Sequence, residues 1–156
     1  KACRSTDVIS GLSGGQGAPV VVTGVEEEMA IGKVFFKIHV SNSGTGTVIN
    51  KARLGDCPHY IKLKDIGDIT YTVRANTLPG SDGGPLTAGS DATGVIRASC
   101  EPGTLTLIDG KGIIYCNFDA TVTGSAYKTP LNIELEYGYM DSISKQVELR
   151  STMTSQ

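Results

Sequence analysis

The sequence predicts an all-β fold, and three observations lead to this prediction. First, 20 glycines and 6 prolines among 156 residues, with frequent Thr, Val and Ile, favour short strands and turns over helices. Second, residues 33–41 alternate apolar and polar side chains, as a half-buried strand does. Third, Asp109-Gly110 is a two-residue turn signal between two alternating segments.

Length and charge limit the domain count and the classes of partner. A chain of 156 residues fits one domain with a sizeable core, and we assign residues 18–156 to it. The net charge of −2, with both signs interspersed, offers no basic surface, so no nucleic-acid partner is expected. No apolar run approaches the roughly 18 residues that span a bilayer, so no membrane span is expected either.

Residues 1–17 form a Gly/Ser-rich N-terminal arm whose composition cannot build a core. We expect such an arm to need an anchor. A disulfide between Cys3 and Cys57, a neighbouring subunit, or both would supply it. The apolar side chains of the arm that a neighbour could bind are Val8, Ile9 and Leu12.

Strand candidates follow from residue 18 onward. Val20, Val22 and Val25 indicate a first strand that ends in three glutamates, which we interpret as a solvated edge. The second strand, residues 33–41, has the clearest alternation, and His39 lies on its polar face, so we interpret His39 as a surface residue and not as a base or ligand. Further strand candidates are residues 47–49, 60–63, 69–74 and 95–97, and the longest predicted loop is residues 76–93.

Four cysteines without a Cys-x-x-Cys pair, and only 2 histidines, favour disulfides over a zinc site. Of the three possible connectivities we favour Cys3 with Cys57 and Cys100 with Cys116. The second bond would close a loop of about 15 residues and stabilise the fold by roughly 3 kcal/mol. A simple hairpin around Asp109-Gly110 would place Cys116 opposite Gly103, so the second bond requires Pro102 and Gly103 to bend Cys100 back. Disulfides predict either an oxidising compartment or a hyperthermophile, whose cytosol tolerates them. Of the two we favour the first and expect an extracellular, cell-surface protein.

The C-terminal part reads as a second hairpin, with residues 131–137 and 143–149 as its strands and a turn near Met140-Asp141. Tyr137 and Tyr139 flank Gly138 there. They are candidates for a sugar-stacking platform, although interior or interface packing is the more common role of such tyrosines.

Nine or ten strand candidates joined by short turns are what two packed antiparallel sheets require. The expected architecture is therefore an immunoglobulin-like antiparallel β-sandwich that follows the N-terminal arm. The chain has no Trp, so it lacks the buried tryptophan of antibody domains.

Residues 35–48 resemble the signature of CARDB-type adhesion domains, in which a strand runs into an Asn-x-Gly-x-Gly turn, here Asn42-Ser43-Gly44-Thr45-Gly46. Residues 15–20, the cysteine segment and residues 129–145 are similar to parts of archaeal cell-surface proteins. The resemblance implies an extracellular, immunoglobulin-like module without catalytic residues. The additional cysteines depart from a plain CARDB module.

No candidate catalytic residue, cofactor or metal site emerges. Neither His39 nor His59 lies beside a nucleophile signature such as Gly-x-Ser-x-Gly. Enzymatic activity is therefore not expected.

Two functions remain open. The first is structural: a cell-surface, pilus-like filament whose identical subunits join by strand addition. The second is an adhesion module that binds surface glycans or other cells through residues 78–92 and the candidate contacts Tyr137 and Tyr139. The candidate interface residues of the first function are Val8, Ile9, Leu12, Val20, Val21 and Val22.

Overall fold

The computed structural model describes residues 18–56, 62–76, 95–119, 130–141 and 144–148. Within these ranges the chain forms ten strands and two short 3-10 helices and contains no α-helix, which confirms the all-β prediction. The strands are β1 (Val20–Ala30), β2 (Lys33–Asn42), β3 (Thr47–Ile49), β4 (Asp68–Asn76), β5 (Val95–Arg97), β6 (Ser99–Glu101), β7 (Leu105–Thr106), β8 (Lys111–Asp119), β9 (Leu131–Glu136) and β10 (Gly138–Met140), and the 3-10 helices are η1 (Lys51–Asp56) and η2 (Leu63–Asp65).

The first sheet has the order β1-β2-β8-β6, and each neighbouring pair is antiparallel. β1 and β2 form a hairpin that turns at Ile31-Gly32, where Gly32 has a φ of 76°, a left-handed conformation that costs glycine little. Val34, Ile38 and Val40 of β2 are buried, so the alternation predicted for this strand is confirmed.

The second layer is built around β4. Both β5 and β9 pair with Arg74 of β4, so they must lie on opposite edges of it. β7 pairs with the first two residues of β4. β10 pairs with β3, which is joined to the start of β4 by a 2.8 Å hydrogen bond from Gly67 N–H to the Val48 carbonyl.

Side chains from both layers pack into one hydrophobic cluster. Ile38, Ile114 and Phe118 come from the first sheet, and Ile69 and Ile96 come from the second layer; all are fully buried. Burial of each such side chain is worth about 1.5–3 kcal/mol relative to exposure. The first sheet and the second layer therefore share one hydrophobic core.

The turn at Asp109-Gly110 is confirmed. Ile108 and Lys111 on either side of it exchange two backbone hydrogen bonds of 2.9 and 3.0 Å. Asp109 has a φ of 51° and Gly110 a φ of 74°, and positive φ at both central positions is the geometry that a tight β-hairpin requires.

The chain before this turn crosses between the two layers, so it does not form one simple hairpin. β6 lies beside β8 with Cys100 opposite Cys116, whereas β7 pairs with β4 in the other layer. The chain bends at residues 102–104, where it leaves the first sheet, and this bend lets Cys100 lie opposite Cys116. The predicted bend at Pro102-Gly103 is therefore confirmed.

Two predictions from the sequence are wrong. Residues 131–137 do not form the expected hairpin with the described part of residues 143–149, since β9 pairs with β4 and residues 144–148 have no regular secondary structure. Alternation identifies a strand but not its partner. Leu63, expected at the end of a strand, instead begins η2, while residues 57–61 lie outside the described ranges.

Candidate interaction surface

The face of the first sheet that points away from the core carries charged and aromatic side chains. The strand register aligns Glu26 of β1, Lys37 of β2 and Tyr115 of β8 in one row, with Phe35 one row further along β2. Neighbouring strand residues point to opposite faces and Ile114 is buried, so these side chains point outward. We call this surface the outer face. A groove is lined by the outward-pointing Glu26, Glu28, Phe35, Lys37 and Tyr115 and by Glu27, Phe36 and Cys116, which lie between them in the strands.

Glu26 lies between two basic side chains on the outer face. Its Oε1 is 2.8 Å from His39 Nε2, and its Oε2 is 3.4 Å from Lys37 Nζ. The hydrogen bond with His39 is the largest influence that lowers the pKa of Glu26 below the ordinary 4.5; desolvation opposes it, and Lys37 reinforces it. His39 is thus on the outward face, as expected, but half-buried and engaged with Glu26.

Two aromatic side chains on the outer face are exposed. Phe35 is 41% and Tyr115 is 55% exposed, on adjacent strands. Phe35 lies opposite Asn117 and Tyr115 lies opposite Lys37, so the two rings are diagonal neighbours, a spacing that aromatic side chains can bridge. Sequence reasoning missed this pair, although Phe35 carried a signal: it is an aromatic residue on the otherwise polar face of an alternating strand.

β1 is an edge strand, since within the described part of the chain only β2 pairs with it. Asn42 N–H donates to the carbonyl of Gly110, next to the start of β8, at 2.8 Å. In an antiparallel sheet the backbone groups of successive residues point to opposite edges of the strand, so those of even-numbered residues of β2 point toward β8 and those of odd-numbered residues toward β1. Glu27 and Met29 lie opposite even-numbered residues of β2. Their backbone N–H and C=O groups therefore point to the open edge of the sheet.

The candidate interface residues fall in two places. Val20, Val21 and Val22 pair with residues 40–42 of β2 at the start of β1; Val20 is buried and the other two are half-buried. The three candidates in the arm, Val8, Ile9 and Leu12, lie outside the described residues.

The Cys100–Cys116 disulfide is confirmed, with an S–S distance of 2.06 Å. It joins β6 to β8 directly across the pair. Cys3 and Cys57 lie outside the described residues, so their pairing stays a prediction. The described ranges hold no group of three or more His, Cys, Asp or Glu side chains that could bind a metal ion.

Tyr137 and Tyr139 are half-buried and pack against the core. The Tyr137 hydroxyl accepts a hydrogen bond from Val20 N–H at 3.3 Å, and the Tyr139 hydroxyl accepts one from Gly46 N–H at 2.5 Å. These bonds tie two chain segments to the β10 region. A role of either tyrosine in ligand contact stays a prediction.

No protein-family model, curated protein or solved structure matches this chain. Where the chain is described, no helix is long and apolar enough to cross a membrane.

Proposed function

We propose that this chain is an extracellular, non-catalytic, immunoglobulin-like domain that joins identical subunits into a filament by strand addition at the open edge of β1. The observation that carries the proposal is the edge itself. β1 runs for 11 residues with a strand partner on one side only, among the residues described. An unpaired strand edge is a template for another chain, because its backbone groups seek hydrogen-bond partners.

The far end of the same hairpin adds an apolar contact area. Ile31 is fully exposed and Met29 is 47% exposed, at the end of β1 where backbone groups point outward. Exposed apolar side chains next to an open edge are typical of an interaction site. The Cys100–Cys116 disulfide supports an oxidising, extracellular environment.

The N-terminal arm is the segment that we propose as the added strand. It carries Val8, Ile9 and Leu12 in an otherwise Gly/Ser-rich sequence that cannot form a core of its own. Laid along β1 of a neighbour, the arm would satisfy the outward backbone groups at Glu27 and Met29. Main-chain hydrogen bonds would supply affinity, and the apolar side chains would set the register.

Removal of the arm tests this function. The full chain should form filaments in negative-stain electron microscopy, and a chain of residues 18–156 should stay monomeric in size-exclusion chromatography with light scattering. Replacement of Val8, Ile9 and Leu12 by serine should have the same effect at unchanged arm length. The matched control replaces Ser5, Ser10 and Ser13 by alanine and should assemble normally. Filaments of unchanged form without the arm would contradict the proposal.

A second candidate function is glycan binding, which the exposed Phe35 and Tyr115 favour. Aromatic rings on a flat sheet face can stack on the apolar face of a sugar ring, while Glu26 and Lys37 beside them offer hydrogen-bond partners for hydroxyl groups. This function predicts a monomer whose melting temperature rises with a bound glycan.

A glycan array followed by thermal-shift measurements tests the second candidate. Phe35→Ala and Tyr115→Ala should each abolish the shift. Ile108→Ala, which removes an apolar side chain that is 74% exposed outside the groove, should leave it unchanged. A broad array without a hit would count against glycan binding.

A further inference from the structure

Two arginines lie directly opposite each other in the second layer, on the surface that faces away from the core. The register of β4 with β5 pairs Arg74 with Arg97. Ala98 N–H donates to the Val73 carbonyl at 3.0 Å, which makes Val73 and Ala98 a hydrogen-bonded pair. Arg74 and Arg97 are therefore a non-hydrogen-bonded pair, the kind in which opposite side chains come closest.

Both arginine side chains point outward. Val73 and Ile96, the residues next to them in the strands, are 3% and 0% exposed and belong to the core. Strand alternation then places Arg74 and Arg97 on the solvent side. Asn132 of β9 lies opposite Arg74 on its other edge, so Arg97, Arg74 and Asn132 form one row of hydrogen-bond donors across three strands.

The charges in this row are not balanced by the fold. Arg74 forms one ion pair, from its Nη2 to Glu134 Oε2 at 3.4 Å, and both side chains remain partly exposed. Arg97 is exposed and has no carboxylate partner among the described residues. The Nε of Arg74 is enclosed and has no hydrogen-bond acceptor among the described residues. Like charges directly opposite on a sheet destabilise it, so an anion between them would remove a cost.

We propose that Arg74 and Arg97 form a binding site for an oxyanion of the sulfate class, whether free in solution or carried on a sulfated glycan. A guanidinium group presents N–H donors in a planar fork that fits two oxygens of such an anion. Two forks side by side can bind one anion from two directions, and Asn132 can add an amide donor. This site is distinct from the outer face and does not depend on filament formation.

Calorimetric titration of the full chain with sodium sulfate tests the site, with sodium chloride of equal ionic strength as the reference. Sulfate should bind the unaltered chain and raise its melting temperature more than chloride does. Arg97→Gln should weaken sulfate binding by about tenfold or more, since one charge-assisted donor group is lost. Lys64→Gln removes the same charge from an exposed position in η2 and should change nothing.

The repulsion between Arg74 and Arg97 gives a second test, because its removal changes the melting temperature. An arginine that is only solvated would not show this effect. In low-salt buffer without sulfate, Arg97→Gln should raise the melting temperature, and added sulfate should reduce this difference. Equal responses of the unaltered chain and Arg97→Gln to sulfate, matched by chloride, would overturn the proposal, because screening alone would then explain them.

The source of the anion is decided by a second pair of ligands. A sulfated oligosaccharide and its desulfated counterpart are titrated into the unaltered chain and into Arg97→Gln. Tighter binding of the sulfated form than of inorganic sulfate, lost on desulfation and in Arg97→Gln, identifies a glycan-borne sulfate. Binding of inorganic sulfate alone, lost in the same variant, identifies a free anion. Sulfated ligand binding that survives Arg97→Gln would contradict the site.

Discussion

Tyr139 and Tyr115 show how differently two strand tyrosines can be used in one domain. Tyr139 of β10 is half-buried, and its hydroxyl accepts a hydrogen bond from Gly46 N–H. Tyr115 of β8, in contrast, is 55% exposed on the outer face. A methyl group built onto Gly46 would lie 2.7 Å from the Tyr139 ring, so the loop and the ring are closely fitted. The half-buried Tyr139 fixes the loop at Gly46, and the exposed Tyr115 is available to a partner.

The largest expected contrast comes from truncation of these two side chains. Tyr139→Ala should lower the free energy of unfolding by about 2–3 kcal/mol, because it empties a packed site and leaves Gly46 N–H without its partner. Tyr115→Ala should change it by less than about 0.5 kcal/mol, as is usual for exposed positions. Urea unfolding of both variants measures the difference. An equal loss in the free energy of unfolding for both variants would contradict the different structural roles of the two tyrosines.

Removal of the hydroxyl groups alone should give a smaller contrast. Tyr139→Phe should cost about 1 kcal/mol, since one part-buried hydrogen bond is lost. Tyr115→Phe should have no measurable effect on stability. Urea unfolding measures both variants. An unchanged free energy of unfolding for Tyr139→Phe would mean that packing of the ring, and not the hydrogen bond, fixes the loop.

The smallest effect concerns Glu26 and depends on pH. Its pKa is lower in the folded chain than the ordinary 4.5, chiefly through the hydrogen bond with His39. A carboxyl group with a lowered pKa stabilises the fold above its unfolded pKa, and this contribution is lost as the pH falls through its folded pKa. The melting temperature of Glu26→Gln should therefore be lower than that of the unaltered chain at pH 7, and this difference should become smaller below pH 4.5. A difference in melting temperature that does not change with pH would contradict this role of the Glu26 charge.

The sequence revealed local structure more fully than it revealed pairing. The alternation of β2 and the positive φ at Asp109-Gly110 follow from side-chain pattern and turn chemistry, which are local properties. The pairing of β9 with β4 and the crossing of the chain between β6 and β7 depend on which apolar faces meet in the core. That choice is made by long-range packing, which one strand's pattern does not encode.

The residues of the candidate surfaces also differ in whether a local sequence pattern reveals them. Phe35 could have been found from the sequence as an aromatic residue out of phase with its strand. Arg74 and Arg97 could not, because 23 positions separate them and only the register of β4 with β5 brings them together. The spacing of Tyr137 and Tyr139 made them candidates for sugar stacking. In the structure their hydroxyl groups accept hydrogen bonds from the backbone of distant segments.

The open edge of β1 is the centre of the proposed function, and one substitution addresses it directly. Glu27 points its backbone N–H away from β2, so Glu27→Pro removes a donor from the open edge without breaking a hydrogen bond within the sheet. Glu27→Ala removes the same carboxylate and keeps the donor. Negative-stain microscopy of both variants, with circular dichroism to verify the fold, should show filaments for Glu27→Ala and monomers for Glu27→Pro. Filaments of equal length and number from both variants would contradict assembly at this edge.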